Sequence, residues 1–162
     1  MTILGIDPGY DRLGWGVITS QLRRSRVVDF GCIKTSRQAN IFDRYQQILQ
    51  ELQHIIGQHH PQDAAIEALY FAKNQKTALR VSEARGVIIS QLLIAGCAVT
   101  EYSPQAVKMA VTGYGRADKL AVEKMIRAEL KITSPKLIDD TLDALALAVT
   151  HAISYGAKEQ KS

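Results

Sequence analysis

Cysteines are scarce in this 162-residue sequence, and long apolar runs are absent. The two cysteines, Cys32 and Cys97, lie far apart and match no metal-binding or redox spacing, so we expect two small buried side chains in a reducing compartment. No segment approaches the ~18 consecutive apolar residues of a membrane-spanning helix. The first residues lack the basic start of a signal peptide. Together these absences predict a cytoplasmic protein without a membrane partner.

Internal repeats, low-complexity tracts and interdomain linkers are also lacking. The length fits one compact domain, since domains commonly have ~100–200 residues. Hydrophobic residues make up 46% of the chain, which is enough for a core and excludes a disordered protein. We therefore expect one domain over residues 1–156, followed by a polar tail over 157–162.

The charge balance is moderately basic. Lysine and arginine number 20 against 16 acids, giving a formal net charge of +4, which weakly indicates an anionic partner. If four acids were gathered in one metal site, the remaining surface would be more strongly basic, and nucleic acid would be favoured. Many unrelated proteins share such a charge, so the balance alone does not decide the partner.

Hydrophobic periodicity predicts an α/β fold. Apolar segments bounded by turn residues predict five strands, over 2–6, 14–19, 26–35, 63–69 and 97–102. Helical spacing predicts five helices, over about 41–57, 76–95, 105–111, 118–130 and from 139 onward, the first of them capped by Asn40. The order βββαβαβααα is that of the ribonuclease-H-like architecture, a five-stranded mixed sheet flanked by helices.

Four acids occur where a solvated surface role fits poorly. Asp7 ends the first predicted strand, and Glu67 is the only charge within the apolar segment 64–69. Burying an unpaired carboxylate is costly, so such acids normally have a cation or hydrogen bonds nearby. Asp140 and Asp143 are three residues apart at the start of a helix, so they share one face.

Carboxylates gathered in this way would suit metal-dependent hydrolysis. Mg²⁺ prefers oxygen ligands, and two such ions ~3.5–4 Å apart can promote hydrolysis of a phosphodiester. Each acid also has a structural alternative: Asp7 could only initiate a turn, and Asp140 could stabilise a helix start. The residues are consistent with a nuclease but do not by themselves require one.

Other polar residues nearby are expected to be structural. Asp11 would shape the turn after Asp7, Asp63 would precede a strand, and Asp139 would cap the last helix. His151 lies about 16 Å beyond Asp140 along that helix, at ~1.5 Å per residue, which is too far to share a metal. We expect an ordinary surface or core histidine. The basic hairpin at Arg23, Arg24 and Arg26 is expected to be solvated, with DNA contact as the alternative.

Four ordered blocks resemble the RuvC family. The first block is Gly-Ile-Asp-Pro-Gly (5–9) with Gly-Trp-Gly (14–16), and the second is Ile-Glu (66–67) with Phe-Ala-Lys-Asn (71–74) and Ala-Arg-Gly (84–86). The third is Tyr-Ser-Pro (102–104) with Val-Lys (107–108) and Gly-Tyr-Gly (113–115). The fourth is Asp-Thr-Leu-Asp-Ala-Leu-Ala (140–146). They run from the N-terminus to about His151. Four blocks at these spacings are a far more specific signal than a lone Asp-Pro-Gly turn.

The resemblance implies a homodimer that nicks two opposed strands of a four-way (Holliday) DNA junction. It implies two Mg²⁺ per active site, with Mn²⁺ as a substitute, and a branch-migration motor as a further partner. The catalytic, metal-binding positions it implies are Asp7, Glu67, Asp140 and Asp143. The DNA-binding positions it implies are Lys108, Lys119 and Tyr70, with Phe71 as the alternative to Tyr70.

The apolar segment 87–95 predicts a helix that packs on the sheet of its own chain with one face and on a second copy of the chain with the other. A helix that is apolar on nearly every side should be buried on nearly every side, and the resemblance assigns part of it to the dimer contact. We expect Ile89 and Leu93 on its outward face. Two other functions stay open: a YqgF-like RNA-processing nuclease and a non-catalytic junction-binding module. Four intact carboxylates argue against the second, because they would repel DNA unless metal neutralised them.

Overall fold

The computed structural model describes residues 1–21, 24–69, 75–133 and 137–159. Its elements are β1 (Thr2–Asp7), β2 (Arg12–Gln21), β3 (Arg24–Lys34), α1 (Ile41–His59), β4 (Asp63–Glu67), α2 (Gln75–Ile94), β5 (Ala98–Tyr102), α3 (Pro104–Thr112), α4 (Lys119–Glu129) and α5 (Asp139–Glu159). This order confirms the predicted βββαβαβααα. The last helix extends three residues into the segment predicted to be a polar tail. Within the described ranges, no helix combines the length and apolarity needed to cross a membrane.

The strands form one mixed sheet in the order β3-β2-β1-β4-β5. The first three strands make an antiparallel meander, whereas β4 is parallel to both β1 and β5. In this register Ile6 lies opposite Ile66, so the next residues, Asp7 and Glu67, leave the sheet at the same edge. The parallel pairing therefore places two acids side by side although they are distant in sequence.

Helices cover both faces of the sheet. On one face, α1 and α2 bury Leu52 and Leu92 in a core that includes Leu4 of β1. On the other face, α3, α4 and α5 form a second core that includes Ile3. Ile3 and Leu4 are adjacent and point to opposite faces, as residues in a strand must. The near-continuous apolar sequence of β1 follows from this burial on both sides.

Side-chain caps define where the helices begin. Asn40 Oδ1 accepts hydrogen bonds from the backbone N–H groups of Phe42 (2.9 Å) and Asp43 (3.0 Å), which confirms the predicted cap of α1. Ser103 Oγ accepts from the backbone N–H of Ala106, so α3 starts directly after β5. Asp118 Oδ1 likewise caps α4. Such caps satisfy backbone donors that have no partner within the helix.

Helix α5 lies unusually close to the sheet, and glycines permit this approach. A Cβ built on Gly5 would overlap the carbonyl oxygen of Ala144, and one on Gly14 would overlap that of Asp140. Thr141 Oγ1 also donates to the carbonyl oxygen of Gly31 on β3, at 3.0 Å. Because Gly14 is paired with Asp7 across the sheet, this contact brings the first turn of α5 to the end of β1.

Only part of α2 is buried by its own chain. Ile88 and Leu92 are fully buried, whereas Leu93 and Ile94 are 59% and 81% exposed. Ile89 is partly buried and packs against the core. The prediction that Leu93 faces outward is therefore confirmed, and the same prediction for Ile89 is wrong. Ile89 follows Arg85 by four residues and precedes Leu92 by three, so it shares the side of the helix that packs on the core.

Candidate active site

A cavity of about 260 Å³ opens at the edge of the sheet where β1 and β4 end. Three of the predicted acids line it: Asp7, Glu67 and Asp143. Its other walls come from α3, the start of α4 and α5, and the remaining lining residues are Pro104, Val107, Lys108, Lys119, Val122, Ala146 and Leu147. The cavity thus gathers acids from two strands and one helix, with two lysines beside them.

Mutual repulsion marks the acids of this cavity. Burial, together with the negative charges of Glu67, Asp143 and Asp140, raises the pKa of Asp7 from 3.8 to about 7, against the opposing charge of Lys119. Burial, together with the charge of Asp143, also raises the pKa of Glu67, and Lys119 again opposes it. Burial and like charge both disfavour ionised carboxylates, so a cation in the cavity would relieve this cost.

Each acid in the first two turns of α5 has a cationic neighbour. Arg12 Nε lies 2.6 Å from Asp140 Oδ2. Lys119 Nζ lies 3.1 Å from Asp143 Oδ2 and 3.5 Å from Asp139 Oδ2. Asp140 does not line the cavity, although its charge acts on Asp7. It therefore flanks the cavity on the side of β2 and β3.

The donor chemistry of this cluster fits hard divalent cations. Carboxylate oxygens are the ligands that Mg²⁺ and Mn²⁺ favour. The raised pKa values of Asp7 and Glu67 reflect first burial and then repulsion by neighbouring acids, and a bound cation would offset both. In the described part of the chain, no three Asp, Glu, His or Cys side chains are close enough to chelate an ion as they stand. Carboxylates repel one another when no cation lies between them.

Comparison with known proteins identifies the family. The family model described as "Crossover junction endodeoxyribonuclease RuvC" matches residues 3–151. The chain belongs to the RuvC family. The crossover junction endodeoxyribonuclease RuvC of Roseiflexus sp. (strain RS-1) is 45% identical over 148 residues, which cover 91% of this chain and 88% of that protein. The namesake from Petrotoga mobilis is 42% identical over 151 residues, 93% of each chain.

A solved RuvC structure has the same fold. Thermus thermophilus RuvC in complex with a Holliday junction substrate matches with a TM-score of 0.92 and 31% sequence identity, covering 98% of this chain and 96% of that one. The resemblance inferred from four sequence blocks is therefore confirmed, and so is the ribonuclease-H-like fold with its five-stranded mixed sheet.

The RuvC-like DNA-binding positions fall partly within the described ranges. Lys108 on α3 and Lys119 at the start of α4 both line the cavity, on its helical wall. Tyr70, together with its alternative Phe71, lies outside the described residues, as does Arg23 of the basic hairpin. The neighbouring Arg24 begins β3, and the register pairs it with Gln21, at the end of the sheet opposite to Asp7.

Two residues expected to be structural are held in hydrogen-bonded contacts. Asp11 binds the buried guanidinium of Arg44 and lies 3.2 Å from Arg37, in the turn that follows β1. His151 is 5% exposed, and its Nδ1 lies 3.0 Å from the hydroxyl oxygen of Tyr102. Asp11 thus lies in the turn where it was expected, and of the two alternatives for His151, surface or core, the structure shows the core position.

Two predicted roles near the site need correction. Asp139 is the first residue of α5 and interacts with Lys119, so it is a first-turn acid and not a cap. Cys97 is buried, but Cys32 is only partly buried, and its Sγ donates to Asp140 Oδ2 at 3.8 Å. Burial raises the pKa of the Cys32 thiol, which keeps it protonated as a donor. Its separation from Asp140 in sequence concealed this contact.

Two residues around the site, Arg12 and Arg85, had no role assigned from sequence, and Cys32 was expected only to be a small buried residue. Arg85 on α2 donates from Nε to the carbonyl oxygen of Glu67 at 3.2 Å, and its terminal nitrogen lies 2.7 Å from Glu101 Oε1. It thereby braces the ends of β4 and β5. Its place in the Ala-Arg-Gly block was the available signal. Arg12 and Cys32 are recognisable only once the strand register is known.

Proposed function

We propose that this protein resolves four-way DNA junctions by metal-dependent hydrolysis of phosphodiester bonds. The observation that carries the proposal is an open cavity that gathers three acids and two lysines, in a chain of the RuvC family. The relatives are described as crossover junction endodeoxyribonucleases. The T. thermophilus RuvC of the same fold is described in complex with a Holliday junction substrate.

We propose two Mg²⁺ per active site, with Mn²⁺ as a substitute. When bound, the metal ions lower the cost of activating a water molecule and stabilise charge on the leaving oxygen of the phosphodiester. The residues that would hold them are Asp7, Glu67, Asp140 and Asp143. The strands supply two of these ligands and α5 supplies the other two, so rigid elements support both sides of the site.

The two cavity lysines would bind the DNA backbone. Lys108 and Lys119 stand on the helical wall, where a phosphate entering the cavity would meet their positive charges. Lys119 also interacts with Asp143, so it partly neutralises the acids that would otherwise repel DNA. Tyr70, with Phe71 as the alternative, is proposed as an aromatic contact with junction DNA, because aromatic side chains can stack on unpaired bases.

Paired nicking requires two active sites related by symmetry. A four-way junction has approximate two-fold symmetry, so we propose a homodimer with both cavities facing the DNA. The outward surface of α2, with Leu79, Leu93 and Ile94 exposed by 65%, 59% and 81%, offers the apolar contact. Gly86 on the same helix has open space beside it, which permits close approach of a second copy. A branch-migration motor is the further partner proposed.

The two other functions considered from sequence gain no support. The family model and the relatives are RuvC nucleases, which does not favour a YqgF-like RNA-processing nuclease. A non-catalytic junction-binding module would have no use for a cluster of acids in which burial and neighbouring negative charges raise the pKa of Asp7 to about 7.

Cleavage of a labelled four-way junction, compared with a matched linear duplex, tests the proposal. We expect paired nicks in opposed strands of the junction with Mg²⁺ and none in excess chelator. The substitutions Asp7→Asn, Glu67→Gln, Asp140→Asn and Asp143→Asn should each abolish cleavage, because a charged oxygen ligand is lost. Junction binding should persist in all four variants, since the basic surface is unchanged.

A matched control is Glu51→Gln, which removes an exposed acid on α1, a helix that does not line the cavity. It should cleave like the parent protein. Cleavage in excess chelator would contradict the metal mechanism. Near-normal turnover of any one amide variant would show that the substituted residue is not needed in the active site. Equal cutting of junction and duplex would contradict junction selectivity.

A further inference from the structure

A row of residues across three strands meets the first turn of α5. Asp7 is paired with Gly14, and Gly14 is paired with Cys32, so the three lie side by side across the sheet. A Cβ on Gly14 would overlap the backbone carbonyl of Asp140, which places Asp140 directly on this row. Arg12 stands two residues before Gly14 on β2 and therefore points to the same face.

Two donors from the sheet converge on a single oxygen of Asp140. Arg12 Nε forms an ion pair with Oδ2 at 2.6 Å, and Cys32 Sγ lies 3.8 Å from the same Oδ2 and 3.7 Å from the carbonyl oxygen of Ile33. Both contacts are made to Oδ2. In metal sites, a carboxylate ligand is commonly held by hydrogen bonds from surrounding residues, which orient its metal-binding oxygen. The arrangement around Asp140 has this form.

We propose that Arg12 is a positioning residue that orients Asp140 for divalent-ion binding. By holding Oδ2 on the side of β2 and β3, it leaves Oδ1 for an ion shared with the cavity acids. Arg12 does not line the cavity, so it acts through Asp140 and not on the reacting phosphate. The inference rests on one part of the proposed function, namely that Asp140 is a metal ligand.

The positive charge of Arg12 has an effect of opposite sign. A guanidinium near a cation site repels the ion, so loss of Arg12 would remove this repulsion together with the hold on Asp140. The Arg12 side chain is 47% exposed, so water and salt screen its longer-range field. The direct contact at 2.6 Å is screened far less. We therefore expect the loss of orientation to outweigh the loss of repulsion.

Metal binding to an Arg12→Met variant tests this inference, because methionine keeps an unbranched side chain but has no donor and no charge. Mn²⁺ binding without DNA is measured by calorimetry or electron paramagnetic resonance, and junction cleavage is titrated with Mg²⁺. We expect ~10-fold or greater weakening of Mn²⁺ binding, and an equal rise in the Mg²⁺ needed for half-maximal cleavage. At saturating Mg²⁺, kcat should approach that of the parent. Arg12→Lys should be intermediate.

Arg37→Met is the matched control. Arg37 also pairs with an aspartate, Asp11, near the same turn, and its side chain is 83% exposed. This variant loses the same charge without touching Asp140, so its Mn²⁺ affinity should equal that of the parent. In an Asp140→Asn background, Arg12→Met should cause no further loss of affinity, because the carboxylate it orients is gone. Melting temperatures in chelator verify that all variants fold.

Several results would overturn the inference. Tighter Mn²⁺ binding by Arg12→Met would show that Arg12 competes with the metal ion for Asp140. Unchanged binding would show that Arg12 does not orient Asp140 for the ion. An undiminished effect in the Asp140→Asn background would assign the change to general electrostatics. The two proposals fail separately. A parent protein that binds Mn²⁺ but does not cut junctions contradicts the proposed function, while its Mn²⁺ affinity still reports on Arg12.

Discussion

Folding buries the carboxyl group of Asp7 close to other negative charges, so its ionised form is destabilised in the folded protein. Its pKa of about 7 means that the folded protein holds a proton that the unfolded chain, with a pKa near 3.8, has already released at neutral pH. Stability falls with rising pH wherever the folded state binds more protons. Asp7 therefore carries no penalty below about pH 4, a growing penalty between pH 4 and 7, and the full penalty above pH 7. Such a cost is typical of a site built to receive a cation.

The Asp7→Asn variant should be more stable than the parent in excess chelator. The amide carries no charge to bury, so the gain should be small near pH 4.5 and reach a few kcal/mol, on the order of 5 °C in Tm, at pH 8. Thermal melts across this pH range measure it, with Glu51→Gln as the control. Addition of Mg²⁺ should raise the Tm of the parent more than that of Asp7→Asn. A gain in stability that does not depend on pH would show that the ionised form of Asp7 is not destabilised in the folded protein.

Lys108→Ala and Lys119→Ala should each weaken junction binding and flatten its dependence on salt. One lost phosphate contact reduces the slope of log affinity against log salt by roughly one. Binding titrations at several salt concentrations measure the slope, with Lys124→Ala, an exposed lysine on α4 outside the cavity lining, as the control. Lys119→Ala should impair cleavage more than binding, because Lys119 also contacts Asp143. A slope equal to that of the parent would show that these lysines are solvated surface residues that do not contact DNA phosphates.

At the scale of elements, the site depends on how closely α5 approaches β1 and β2. Glycine at positions 5 and 14 lets helix backbone rest on strand backbone, with no side chain between them. This contact puts Asp140 against the strand residue paired with Asp7. The sheet edge and the helix start therefore hold the acids in one cluster without any flexible loop among the described ligand positions.

Gly14→Ala should destabilise the protein and impair cleavage, because the added methyl group would overlap the backbone carbonyl of Asp140. Overpacking of this kind typically costs ~1–3 kcal/mol, measured as a shift in the denaturant midpoint. Gly57→Ala is the contrasting change: Gly57 lies inside α1 with no atom near its Cβ position. It should gain ~0.5–1 kcal/mol and cleave normally. Parent-like stability and cleavage in Gly14→Ala would mean that α5 is not pressed against β2.

At the scale of the whole molecule, the exposed side of α2 has no partner within its own described chain. Ile88 and Leu92 fill the core, but Leu93 and Ile94 are left to solvent. Exposed apolar surface of this kind commonly marks a protein contact. Because Arg85 of the same helix donates to the carbonyl oxygen of Glu67, a dimer built on α2 would also place a second copy close to the catalytic edge.

Leu93→Glu should give a folded monomer that makes few paired nicks. A charge in an apolar contact between two copies is costly to bury, whereas position 93 is already exposed within one copy. Sedimentation measures the oligomeric state, and junction cleavage distinguishes paired from single nicks. Ile153→Glu, at a position 48% exposed on α5, is the control and should keep the parent state. A parent protein that is monomeric at micromolar concentration even with junction DNA bound would exclude the symmetric mechanism.

Local patterns in the sequence determined the secondary structure and the identity of the candidate ligands. Asn40 and Ser103 cap helices through contacts only two or three residues away, so neighbouring sequence is sufficient to predict them. Asp7 and Glu67 stood out because each interrupts an apolar strand. The four sequence blocks were enough to identify the family. These features depend on spacing along the chain, which the sequence displays directly.

Contacts between distant residues were decided only by the tertiary structure. Arg12 and Cys32 meet Asp140 because strand register aligns β2 with β3 and because Gly14 admits α5. Likewise, Leu93 faces outward and Ile89 does not, because the packing angle of α2 on the sheet selects one side of an almost wholly apolar helix. Register and helix docking result from the sum of many contacts across the core, and no single segment of the sequence contains that information.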